Sequence, residues 1–197
     1  MISAALLFAA RVCLATAAPL APPPDSLAAL YRAGRPYAEF FAGIRERREQ
    51  WERTTRLAVV PDDLAARARA AGRWKLLLVT VDACSDSVNS VPYLAALVAA
   101  APNLELRVVS RDAGRGVMEA HRTPDDRAAT PTLVLLDSNL VERGSWIERP
   151  AELQTWFIAT GHALPMDQFR RDKQAWYDRD AGRSALREMV ELLEARH

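Results

Sequence analysis

Between Lys75 and Val81 the chain reads Lys75-Leu76-Leu77-Leu78-Val79-Thr80-Val81, a short apolar run without the apolar/polar alternation of a half-exposed strand. Such a run is read as a strand buried on both faces, which requires a sheet covered by helices on each side. The flanking pattern supplies them. Ser87 to Ala101 is rich in Ala, Leu and Val with Pro92 inside it, predicting a helix kinked at that proline. Leu104 to Val109 alternates as a second strand, and a short helix is expected around 116–121. Thr132-Leu133-Val134-Leu135-Leu136 and Leu140 to Gly144 then read as a hairpin across Asp137-Ser138-Asn139. Two parallel strands joined by a crossover helix and followed by an antiparallel hairpin define few small sheets.

Helical patterns flank this unit. Residues 26–56 place Leu27, Leu30, Tyr31, Tyr37, Phe40, Phe41 and Ile44 at helical spacing, with Pro36 dividing the run into two helices and Asp25 or Ser26 as the first cap. A further helix is expected to begin at Pro61, its first position, with Asp62 and Asp63 complementing the helix dipole and Gly72 ending it. Helices near 150–160, 166–178 and 183–195 complete the chain, the last with Leu186, Met189, Val190 and Leu193 on one face. The length of 197 residues suits one domain with helical additions. The expected division is a leader over 1–24, an N-terminal helical extension over 25–72, a central α/β domain over 73–163 and a C-terminal helical extension over 164–197.

The leader is apolar from Met1 to Ala18 and passes into Pro19-Leu20-Ala21-Pro22-Pro23-Pro24. Ala15-Thr16-Ala17 resembles a signal-peptide cleavage site, but no basic residue precedes the apolar stretch, Arg11 interrupts it, and it is too short for a membrane span. A disordered leader and an export signal are the two readings. With only Cys13 and Cys84 present, no disulfide framework supports the fold. His121, His162 and His197 are far apart in sequence and no Cys/His spacing suits a metal. The net charge of +1 is spread along the chain, which argues against a nucleic-acid surface. The Arg45–Arg56 stretch interleaves arginines with Glu46, Glu49 and Glu52, and reads as a solvated helix face.

The chemistry-bearing stretch is Asp82-Ala83-Cys84-Ser85-Asp86-Ser87, between the buried strand and the next helix. A thiol at a helix N-terminus faces unpaired backbone N–H groups and the positive end of the helix dipole, and both favour the thiolate. Carboxylates at Asp82 and Asp86 act the other way. Asp86 is read as a helix cap or proton acceptor and Asp82 as a partly buried acid at the strand end. The second marker is Ala129-Thr130-Pro131-Thr132, where a proline opening a strand loses no ladder bond and, if cis, sets the preceding backbone beside a ligand.

Together these features resemble the thioredoxin superfamily, and more narrowly a bacterial thioredoxin-like group with a Trp-Cys-Gly-Asp-Ser type motif. Here the motif is Ala83-Cys84-Ser85-Asp86-Ser87. The resemblance extends through Val91-Pro92-Tyr93-Leu94, Arg111-Asp112, Thr130-Pro131-Thr132, Arg149-Pro150 and Ala175-Trp176-Tyr177. It implies a thioredoxin-like α/β fold, a central mixed sheet flanked by helices. Ala83 replaces the usual tryptophan, Ser85 the glycine, and Ser87 occupies the place of the second cysteine of a Cys-X-X-Cys pair, as in monothiol branches.

The resemblance implies a thiol-disulfide oxidoreductase in which Cys84 attacks a disulfide and an external thiol such as glutathione resolves the product. Ser87 is expected to donate to the thiolate, with Asp86 beside it; Ser85, Thr130 and Pro131 are expected to hold substrate. The partner is then a protein or a low-molecular-weight thiol or disulfide, with no cofactor, metal, nucleic acid or stable membrane span, and the reducing cytoplasm suits the chemistry. The alternative is a non-catalytic thioredoxin-fold module that grips a protein beside Pro131. A thiol peroxidase lacks a Thr-X-X-Cys arrangement, and Arg111 is either a contact for an acidic cosubstrate or a surface ion pair.

Overall fold

A computed structural model describes residues 26–195; the readings made for the leader, for Asp25 and for His197 lie outside the described residues. Five strands form one mixed sheet in the order β1-β3-β2-β4-β5, with β1 at Arg35–Pro36, β2 at Trp74–Thr80, β3 at Leu104–Ser110, β4 at Thr132–Leu136 and β5 at Glu142–Ile147. The chain has a thioredoxin-like α/β fold. β2 runs parallel to β3, from Trp74 opposite Leu104 to Thr80 opposite Ser110, and antiparallel to β4.

The apolar run of β2 is buried on both sides for the reason its pattern gives. Leu76 and Leu78 enter one core together with Leu106, Val108, Leu133 and Leu135. Leu77 and Val79 enter a second core with Val109, Val134 and Leu136. The first core is covered by α3 (Arg48–Leu57), α4 (Asp62–Ala70), α5 (Ser85–Ala100) and α9 (Arg183–Glu194), through Trp51, Leu64, Val91, Leu94, Leu186 and Met189. The second lies under α1 (Leu27–Ala33) and α6 (Arg115–Ala120), through Tyr31, Val117 and Met118. α6 approaches the sheet closely because Gly114 precedes it: a Cβ there would lie 2.5 Å from Val79 Cγ1.

Several boundaries differ from the sequence reading. Ser26 caps α1, its hydroxyl accepting the Ala29 N–H at 3.1 Å. Residues 26–56 form three helices rather than two: α1, α2 (Tyr37–Ala42) and α3. The second break falls between Gly43 and Arg47, where Arg47 has φ 53° and the Asp82 carboxylate takes the backbone N–H groups of Arg45 and Glu46. Pro36, read as a helix break, also carries the second residue of β1, which pairs with β3. Pro61 is the cap of α4 and not its first residue, whereas Gly72 ends that helix as read, following the C-cap Ala71 and itself in the left-handed conformation with φ 85°. α5 runs through the buried Pro92 as one helix. β5 begins at Glu142, two residues later than read, because Asp137 accepts the N–H groups of Asn139 and Val141 and Leu140 turns with φ 63°. α7 (Ala151–Ala159) and α8 (Met166–Asp180) follow β5 and lead to α9. No helix of the described residues is long and apolar enough to cross a membrane.

Candidate active site

Cys84 is the N-cap of α5, in extended conformation, with its side chain partly exposed. Its Sγ accepts the Ser87 N–H at 3.5 Å and donates its proton to the Thr130 carbonyl at 3.1 Å. The helix start and the 130–131 loop, 46 residues apart, thus meet at the sulfur. The Thr130–Pro131 peptide bond is cis. Pro131 is tied to the far end of the hairpin, its carbonyl accepting the Glu148 N–H at 2.7 Å.

Ser87 contacts the sulfur through its backbone, not through its hydroxyl. That hydroxyl is fully buried and accepts from Thr80 Oγ1 at 2.8 Å, so the expected side-chain donation to Cys84 is corrected to a backbone donation. Ser85 Oγ accepts from Lys173 Nζ at 2.7 Å.

The turn before Cys84 is clamped by the N-terminal helices. Trp51, with no exposed surface, donates its indole N–H to the Asp82 carbonyl at 2.9 Å. Arg47 Nε donates to the Ala83 carbonyl at 2.7 Å, so this member of the arginine-rich stretch is not simply solvated; Arg48 with Glu52 is the local pair that fits that reading. Desolvation pushes the Asp82 carboxyl up, but the backbone donors of Arg45 and Glu46 outweigh it and hold the group below its ordinary value.

Asp86 is buried, as is the network around it. Its Oδ1 accepts from Tyr177 at 2.8 Å and lies 3.6 Å from Arg149 Nε; its Oδ2 accepts from Lys173 at 2.9 Å. Arg149 also pairs with Glu148, which takes both terminal nitrogens of Arg127 at 3.0 and 2.8 Å; Arg127 in turn holds Asp125. Three carboxylates thus face three cations. Balance matters because the side chains of Asp86, Lys173, Arg149 and Glu148 are at most 8% exposed, and a buried charge is tolerated only when paired. Arg127 and Arg149 further stack over Phe157, at 5.0 and 4.5 Å from the ring centroid. Burial, then the Asp86 carboxylate, pushes the Tyr177 phenol well above its usual range, so Tyr177 serves as a neutral donor.

This network answers the objection raised by the acidic motif, since the Asp86 charge beside the thiol is met by Lys173 and Arg149. Sequence reasoning did not reach Lys173, Arg149, Arg47 or Trp51 as site residues; Arg149 and Tyr177 carried a signal only through the stretches that resemble the thioredoxin group. Among the described residues, no cluster of three or more His, Cys, Asp or Glu is placed to hold a metal ion.

The fold and this thiol-bearing turn define the thioredoxin class. A family model described as Thioredoxin matches residues 34–169, more than half of the chain, and the chain belongs to that family. Two solved structures align with it at a TM-score of 0.65. One is a protein of unknown function from Pseudomonas aeruginosa, 21% identical, the match covering 86% of this chain and 98% of that one. The other is an HIV epitope-scaffold, 20% identical with the same coverage. At this identity they bear on the fold alone. No curated protein matches the chain.

Proposed function

We propose that the chain is a monothiol thiol-disulfide oxidoreductase acting through Cys84. The observation that carries this reading is the partly exposed sulfur at the N-cap of α5, accepting the Ser87 N–H beside the cis Thr130–Pro131 bond. The Cys84 thiolate attacks one sulfur of a disulfide RS–SR, forming Cys84–S–S–R and expelling RS⁻. A second thiolate R′S⁻ then attacks the R sulfur, releases Cys84 as thiolate and leaves RS–SR′. The external thiol is required because Ser87 stands where a resolving cysteine would be. A reducing compartment such as the cytoplasm supplies it.

In this reading Thr130 and Pro131 line the substrate side of the sulfur, and Ser85 and Asp86 couple the first turn of α5 to Lys173 on α8. The segments 25–72 and 164–197 act as extensions that brace the turn, from Trp51 and Arg47 on one side and Lys173 and Tyr177 on the other. The second reading, a binding module gripping a protein at Pro131, is favoured by one contact: the thiol proton of Cys84 is committed to the Thr130 carbonyl, as in an unreactive cysteine.

The two are separated by exposing the Cys13→Ser chain to 2-hydroxyethyl disulfide at pH 7 and following the mass of the Cys84 peptide. The oxidoreductase gives an adduct of one hydroxyethylthio group that glutathione removes. No adduct in the folded chain, with ready reaction after unfolding, supports the binding module.

A further inference from the structure

A cleft of about 200 Å³ opens at the carboxyl ends of β2 and β3, where parallel strands of α/β sheets commonly present ligand sites. Its walls include Phe40, Ile44, Val81 and Asp82, and Arg35 and Arg111 line it as well. The cleft adjoins the active-site turn directly: the Cys84 N–H donates to the carbonyl of Val81 at 3.2 Å. Two residues span at most ~7 Å, so the Cys84 backbone lies within that distance of the Asp82 wall.

The carboxylates of this cleft have partners, and its guanidinium groups have no carboxylate among the described residues. Asp82 accepts two backbone N–H groups, and Asp112 pairs with Arg115 at 3.2 Å. Arg35 lies over the Phe40 ring, 5.3 Å from its centroid, and among the described residues neither it nor Arg111 pairs with a carboxylate within 4.0 Å. A cleft well below the ~300–1,000 Å³ of sites that enclose a whole drug-sized ligand takes one end of a ligand.

We propose that this cleft is a carboxylate subsite, in which Arg35 and Arg111 receive the carboxylate end of a peptide-like thiol or disulfide whose sulfur reaches Cys84. The proposal rests on the oxidoreductase reading and adds the class of its small substrate. Two guanidinium groups lining one cleft suit a carboxylate, and Phe40 and Ile44, which line it too, suit the carbon skeleton beside it.

The test uses the full chain with Cys13→Ser and compares glutathione disulfide, which carries carboxylates, with uncharged 2-hydroxyethyl disulfide. Arg111→Ala slows adduct formation with glutathione disulfide about fivefold, as expected for exposed charge contacts, and leaves the uncharged probe unchanged. Arg111→Glu slows the first further, and Arg35→Ala repeats the pattern. The preference for the anionic probe shrinks as salt rises, because the contacts are solvent-screened. Equal rates in wild type and variants, or equal losses with both probes, overturn the subsite while leaving the thiol chemistry intact. If neither probe reacts, the oxidoreductase reading has failed, and calorimetry on the Cys84→Ser chain decides the cleft separately. Heat with S-methylglutathione but not with its diethyl ester then supports the subsite, and no heat with either overturns it.

Discussion

Replacing Asp86 by asparagine keeps the shape of the side chain and removes one negative charge from the network behind Cys84. Three carboxylates and three cations become two and three. The Lys173 ammonium loses its carboxylate and keeps Ser85 Oγ at 2.7 Å and the face of Phe169, while Arg149 keeps Glu148 as its carboxylate and the face of Phe157. Both cations are under 9% exposed at the side chain, so water does not replace the lost partner. Breaking a buried ion pair from one side costs about 3–5 kcal/mol. For a domain of this size that is a fall in Tm of roughly 6–20 °C. The companion change Lys173→Met restores two carboxylates to two cations, so the double variant Asp86→Asn/Lys173→Met is expected to be more stable than the sum of its parts by about 1–3 kcal/mol. Thermal and urea unfolding followed by circular dichroism reads both quantities. If Asp86→Asn stays within about 0.5 kcal/mol of wild type, or the two changes simply add, Asp86 is not the counter-charge of Lys173 and the network account fails.

The same network has an acid limit. The Arg127 hydrogen bonds hold Asp125 at about 2, below its ordinary value, so its stabilisation is complete above the unfolded value near 4 and is lost as pH falls toward 2. With Arg127 itself partly exposed, about 1 kcal/mol is at stake after solvent screening. Asp125→Asn should flatten urea stability against pH in that window, and an unchanged slope would contradict the assignment. Gly182→Ala is expected to cost about 2–4 kcal/mol, because φ is 75° there and a Cβ would lie 2.2 Å from the Tyr93 ring; a neutral result in urea unfolding would show that α9 can shift. Trp51→Phe removes the indole donor from the Asp82 carbonyl and should cost about 1–3 kcal/mol while altering the alkylation rate of Cys84. A change in stability without a change in that rate would separate Trp51 from the site.

What the sequence disclosed follows from range. β2, the Cys84 turn and the strand after Pro131 were legible because each is a local signal: an unbroken apolar run, a cysteine between strand and helix, a proline at a strand start. The two-residue β1 was not, since Arg35 and Pro36 have no strand pattern and are strand only by pairing with β3. The second break in residues 26–56 was missed for a related reason, as the carboxylate that stabilises it, Asp82, is 36 and 37 residues away. The charge network is more distant still, with Asp86 and Lys173 separated by 87 positions. An acid in the first turn of a helix reads as a cap from sequence, and only the packing of α8 onto α5 shows that it answers a buried lysine. Likewise Ser87 was recognisable as the place of a second cysteine, but the direction of its hydroxyl depends on Thr80, across the turn.

The central claim is that the fold activates Cys84. Its most direct test is the rate of iodoacetamide alkylation of Cys84 at pH 7 in the Cys13→Ser chain, native against urea-unfolded, with Cys84→Ser as the blank. The account predicts faster modification in the native chain despite partial burial, because the sulfur stands partly exposed at the N-cap of α5 and accepts the Ser87 N–H. Slower modification than in the unfolded chain would contradict it and leave Cys84 as a thiol held by the Thr130 carbonyl.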